Sequence, residues 1–216
     1  MNQRSDGRLG LGRAFRVVAA PLAVALLVAA CSTSPSPSGG SGSATSPGAS
    51  SAAAQAILDA ALASLGDASE FTSNVTLDGA VVTSATGRTV GQATKLTVTA
   101  GGRTVEYARV PPKAWAREPG GTWVIVDASQ APDSPLAALA APLTIVAGPG
   151  DPATSLTATY PATALGLTGD PATVTVTIAG SVVTFEYRKT TSGRTVVSTT
   201  ILQPATDTSP ILAPAT

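Results

Sequence analysis

The chain of 216 residues has no histidine and one cysteine, Cys31. The side chains that most often serve as bases near neutral pH or as transition-metal ligands are therefore almost absent. Triads that need histidine are excluded. No G-x-S-x-G elbow occurs, and none of Lys95, Lys113 and Lys189 follows a serine by three residues, so two common acyl-transfer patterns are missing as well. No P-loop is present, and Gly148 and Gly150 belong to a Gly-Pro-Gly turn and not to a strand-to-helix phosphate cradle. The remaining candidates are carboxylates. Asp127, Asp133 and Asp151 surround one short segment, where a glycosidase pair or a calcium site could be built. Isolated aspartates beside proline and serine are more commonly turn formers, and no calcium-loop spacing exists here. We expect no catalytic residue, no metal site and no cofactor, with a hydrolase acting through Asp127 or Asp133 as the competing enzymatic reading.

Cys31 is the one reactive group with a context. Arg4, Arg8, Arg13 and Arg16 precede an apolar stretch from Val17 to Ala30, which makes residues 1–30 a secretory signal peptide. That stretch holds fourteen residues and includes Pro21, against the roughly 20 apolar residues that a membrane-spanning helix needs. Its end, Leu27-Val28-Ala29-Ala30-Cys31, resembles the bacterial lipobox. The resemblance implies a diacylglyceryl thioether on the Cys31 sulfur, with cleavage making Cys31 the new N-terminus. Two or three acyl chains anchor a protein stably, each buried CH₂ contributing about 0.8 kcal/mol. The expected location is the extracytoplasmic face of the cell membrane, lipid-anchored, the membrane being the first partner.

Removal of residues 1–30 takes four arginines and Asp6, leaving 9 basic against 12 acidic residues, a net charge of −3. The basic residues are scattered, so no nucleic-acid surface is expected. With Cys31 committed to lipid, no disulfide can form within one chain. Residues 31–51 combine the lipidated cysteine with a Ser/Gly/Pro/Thr tract that cannot bury enough apolar surface to order itself, and they read as a flexible tether. Residues 52–206 are of single-domain size. Residues 207–216, with Pro210 and Pro214, read as a disordered tail.

Within the domain the apolar period changes once. Ile57, Leu58, Ala61, Leu62 and Leu65 recur at helical spacing, with Ser51 placed as N-cap and Gly66 as terminator. From Phe71 onward the period is two and β-branched residues dominate. Residues 95–99 and 104–110 flank Gly101-Gly102, and residues 114–117 and 122–127 flank Pro119-Gly120-Gly121, which predicts two successive antiparallel hairpins. Ser134 as N-cap, Pro135, Leu136, Leu139 and the terminator Pro142 describe a short helix. Strands resume at 155–160, 172–178, 181–188 and 194–202. In 172–178 the Val/Ile residues alternate with threonines, the pattern of a sheet covered on one side only. Asn74-Val75-Thr76 matches a glycosylation sequon and is read as strand.

This order of events, and above all the hairpin Ala114-Trp115-Ala116-Arg117-Glu118-Pro119-Gly120-Gly121-Thr122-Trp123-Val124-Ile125-Val126-Asp127, resembles the mycobacterial LppX/LprG/LprA/LprF group of lipoproteins, carriers with a LolA-like half-barrel. The resemblance covers about residues 52–202. It implies an α+β fold: one strongly curved antiparallel sheet with an N-terminal amphipathic helix and a short helix packed on its concave face. It also implies a noncatalytic lipoprotein that holds the acyl chains of a glycolipid or phospholipid in an apolar cavity, for carriage or presentation in the cell envelope. Projected onto this chain, the lining would comprise Ile57, Leu58, Leu62, Leu65, Leu136, Leu139 and Leu143. The same residues suit a plain core. The richness in alanine and threonine would permit either an internal void or close sheet-to-helix packing. Trp115 and Trp123 could anchor the hairpin, gate a pocket mouth or touch the membrane interface. The alternative function is an envelope protein-protein interaction or scaffold lipoprotein with a solid core.

Overall fold

The structure, a computed structural model, describes residues 47–148 and 154–215. Cys31 lies outside them, as do the signal peptide, most of the tether and Asp151. Helix α1 spans Pro47–Ala63, β1 Ala68–Leu77, β2 Ala80–Val90, β3 Ala93–Ala100, β4 Arg103–Val110, β5 Lys113–Arg117 and β6 Val124–Val126. A 3₁₀ turn at Ala128–Gln130 and helix α2, Pro135–Leu139, lead to β7 Thr144–Ala147 and β8 Ser155–Tyr160. A second 3₁₀ turn, Ala162–Leu165, precedes β9 Ala172–Ala179, β10 Val182–Thr191 and β11 Arg194–Pro204.

All eleven strands form one open antiparallel sheet in the order β6-β5-β4-β3-β2-β1-β11-β10-β9-β8-β7. Strands adjacent in sequence are neighbours, except where β6 and β7 end up at opposite edges and β1 pairs with β11. The segment carrying α2 therefore links the two edges. The predicted hairpins are present: Gly101 and Gly102 adopt φ +56° and +77°, the left-handed pair that a two-residue turn between right-twisted strands requires. The β5–β6 hairpin pairs Ala114 with Val126 across its Pro-Gly-Gly turn.

Three boundaries differ from the sequence reading. Helix α1 begins at Pro47, so residues 47–51 of the expected tether are helical and Ser51 lies inside the helix, not at its cap. Proline is tolerated in the first turn, and the alanines after Ser51 have the highest helix propensity of any residue. Strands β2 and β7 were not separately predicted. Their residues are largely half-exposed or exposed, so they carry little of the apolar alternation that marks a strand.

The third difference is the C-terminal segment, which is docked. Arg88 pairs with the Asp207 carboxylate at 2.7 Å and also donates to the Asp207 carbonyl oxygen. Ile211 is buried.

The core lies on the other face. Phe71, Leu202, Val183, Phe185, Val176, Val174, Leu156, Ala158 and Tyr160 point to it from five neighbouring strands. Strand β9 shows the division most plainly, its valines buried and its threonines exposed, as the alternation predicted. The outer face is correspondingly rich in threonine.

Candidate functional site

Helix α1 covers the β7–β10 end of the sheet. Ala54, Leu58 and Ala61 form its inward stripe and are buried, as is Leu65 just past its C-terminus, with Ile57 and Leu62 half-buried beside them. Helix α2 adds Leu139, fully buried, and Leu136, half-buried. Ser134 caps α2 by accepting from the Leu136 amide at 3.3 Å, and Pro135 occupies the first turn, as expected. Six of the seven residues projected as cavity lining thus meet in one cluster. Leu143 does not join them: it is 58 % exposed, because it lies beyond α2 at the start of the β7 edge.

Beneath these helices lie buried side chains of β8, β10 and β11. Tyr160 and Phe185 meet edge to face with ring centroids 6.0 Å apart. The Tyr160 hydroxyl donates to the Leu139 carbonyl oxygen at 2.8 Å. Ser198 donates to the Leu165 carbonyl oxygen at 2.9 Å, closing the second 3₁₀ turn onto β11. Burial pushes the Tyr160 phenol well above its usual ionisation range, since a phenolate there would lose its hydration without a compensating donor.

The helix-covered face continues past α1 onto β2–β6, and here its side chains are less enclosed. Register aligns Phe71, Gly87, Leu96, Tyr107, Ala116 and Val124 in one row across six strands. Ala85, Val98 and Val105 form a second row. Phe71 and Leu96 are buried; Ala85, Val98, Val105, Tyr107 and Ala116 are half-buried, and Val124 is 41 % exposed. Sequence reasoning missed these rows. Each draws a single residue from each strand, a signal visible only once the pairing register is known.

The residues singled out for other chemistry have structural partners. Asp127 accepts from the Ser129 hydroxyl at 2.7 Å and amide at 2.8 Å, capping the first 3₁₀ turn, and these bonds hold its carboxyl below the usual range. Asp133 pairs with Arg109. Arg117 stacks on the Trp123 ring with its guanidinium carbon 4.4 Å from the centroid and also pairs with Glu106 at 2.6 Å, so Trp123 is tied to its own hairpin. Trp115 is buried on the outer face. Among the described residues no group of three or more His, Cys, Asp or Glu side chains could hold a metal, and no helix is long and apolar enough to cross a membrane. No protein-family model matches the chain, and no curated protein matches it either.

Proposed function

We propose that this protein is a noncatalytic lipoprotein, tethered through Cys31 to the outer side of the cytoplasmic membrane, that holds acyl chains of a glycolipid or phospholipid against the uncovered part of its helix-bearing face. In this reading the open sheet is curved into a half-barrel and that face is its concave side. The supporting observation is the pair of apolar rows on β1–β6, Phe71 to Val124 and Ala85 to Val105, half-covered and continuous with the core. Six strands at about 4.8 Å spacing give the longer row a span of roughly 24 Å, enough to lie along an extended acyl chain. Desolvation at about 25 cal/mol per Å² would drive binding with few polar contacts. The chain-binding surface is then these rows, and the Leu58, Leu65 and Leu139 cluster is the packed wall at one end. Native mass spectrometry of the full-length chain, expressed in its lipid-containing host, tests the proposal. Lipid masses retained by the wild type and lost in Val98→Asp, with unchanged circular dichroism, are the expected outcome. Only apo masses for the wild type would sink it.

The second reading, an envelope scaffold, is favoured by the sheet edges. Val124 and Ile125 on β6, and Val146 on β7 with Leu143 just before it, are exposed large apolar side chains on or beside the two edge strands, where an extended partner segment could add. Photo-crosslinking from Ile125 and Val146 in the native membrane should yield one stoichiometric protein adduct if this is the working surface.

A further inference from the structure

The outer face carries a feature that neither reading uses. Residues of β11, β1 and β2 border a hollow of about 420 Å³: Glu70, Phe71, Thr72, Thr86, Gly87, Ile201 and Gln203. Register explains its make-up: Thr72 sits between Thr86 and Ile201, and Glu70 beside Gln203, all on the face away from the helices. It adjoins a shallower hollow of about 220 Å³ over β2 and β3, which shares Thr86 and Gly87 and adds Arg88, Lys95 and Thr97.

The hydrogen-bonding inventory selects a ligand class. Gln203 Nε2 donates to Glu70, which leaves the Gln203 carbonyl oxygen and the second Glu70 oxygen as acceptors. The hydroxyls of Thr72, Thr86 and Thr97 make no side-chain hydrogen bond among the described residues, and each can both donate and accept. Charges nearby cancel: Glu70 lies opposite Arg88, Arg88 opposite Lys95, and Asp207 is clamped to Arg88, two acidic groups against two basic ones. A phosphate would therefore find no net positive field, and a cation no net negative one. Ile201 and the threonine methyls supply an apolar floor among these polar groups.

A ligand that matches is neutral, rich in hydroxyls and apolar on one ring face. We infer that this outer-face hollow binds a neutral sugar residue, its C–H face against Ile201 and its hydroxyls on Thr72, Thr86 and the Glu70–Gln203 pair. The site is independent of acyl-chain binding, since it lies on the opposite face of the sheet.

Saturation-transfer NMR on the full-length protein in nanodiscs tests it, with methyl mannoside, glucoside, galactoside and arabinofuranoside as probes and inorganic phosphate as competitor. At least one glycoside should receive saturation, unaffected by phosphate. Thr72→Val with Thr86→Val, which keeps shape and removes two hydroxyls, should weaken it about tenfold, and Gln203→Leu should weaken it separately. Val98→Asp, on the other face, should leave it unchanged even where it abolishes lipid binding. Absence of transfer to all four glycosides, indifference to both sets of substitutions, or displacement by phosphate would overturn the inference.

Discussion

The buried hydroxyl of Tyr160 on β8 donates to the main-chain oxygen of Leu139 at the end of α2, at 2.8 Å, joining the segment that links the two sheet edges to the strand layer beneath it. Tyr160→Phe removes the donor and leaves that carbonyl oxygen buried without a partner, at a cost of roughly 1–3 kcal/mol. Urea unfolding at neutral pH measures it. The pH dependence has a definite sign. An unfolded tyrosine ionises near pH 10, whereas burial keeps the folded Tyr160 phenol protonated to higher pH. Its contribution is full below about pH 10 and is lost as pH rises beyond that. Tyr107 and Tyr187 shift the same way, so the difference between wild type and Tyr160→Phe from pH 8 to 11 isolates Tyr160.

Gly87 tolerates no side chain. A Cβ there would stand 2.6 Å from the Leu96 Cβ, 2.7 Å from the Phe71 Cζ and 2.8 Å from the Lys95 carbonyl oxygen. Gly87→Ala should destabilise the domain by about 1–3 kcal/mol, the range for overpacking. Combining it with Phe71→Leu should cost less than the sum of the two single changes, because one of the three clashes is relieved. Strict additivity in thermal unfolding would show that the ring does not press on this position.

Asp78 opens the β1–β2 turn at φ +53° and also reaches β11, accepting from the Thr195 amide at 2.7 Å and from Arg194 at 3.1 Å. The amide first, and the guanidinium next, hold its carboxyl below the ordinary range. A depressed folded value means that the interaction is complete above about pH 4 and is lost as pH falls below it. Hydrogen exchange at the Thr195 amide should therefore speed up between about pH 4 and 2 beyond its intrinsic dependence. Asp78→Asn, which tolerates the same backbone conformation, should remove that step.

The indole Nε1 of Trp115 is buried with no hydrogen-bond partner among the described residues. Trp115→Phe removes an unsatisfied donor together with some apolar area, so its net effect should stay within about 1 kcal/mol, whereas Trp115→Ala should cost about 3–5 kcal/mol. Equal losses in chemical denaturation would mean that the indole nitrogen has a partner.

The lipobox reading makes a sharp demand on Cys31. Cys31→Ser should abolish incorporation of labelled palmitate and leave the protein uncleaved at its signal peptide. Unchanged labelling would remove the anchor from the proposal.

Some of this protein can be read from residue order alone. The hairpins around Gly101-Gly102 and Pro119-Gly120-Gly121, the capped helix at Ser134-Pro135 and the two-faced strand at residues 172–178 depend on contacts a few residues apart, which the local pattern encodes. The Leu58–Leu65 stripe was equally visible as an apolar face, but not what it would meet. Long-range pairing settled that: β1 with β11, β6 and β7 at opposite edges, and Tyr160 under Leu139. Such pairings rest on summed packing between residues far apart in the chain, to which no single residue type is committed. The docking of Asp207 on Arg88 belongs to the same class, an ion pair between partners 119 residues apart. Both candidate surfaces, the apolar rows on β1–β6 and the threonine-lined hollow between Glu70 and Ile201, exist only because register sets one side chain per strand beside the next. The sequence alone determined the apolar stripe of α1 and the valine and threonine faces of β9, and the tertiary structure decided, through pairing register, which other residues join those faces and which part of them is packed or left open.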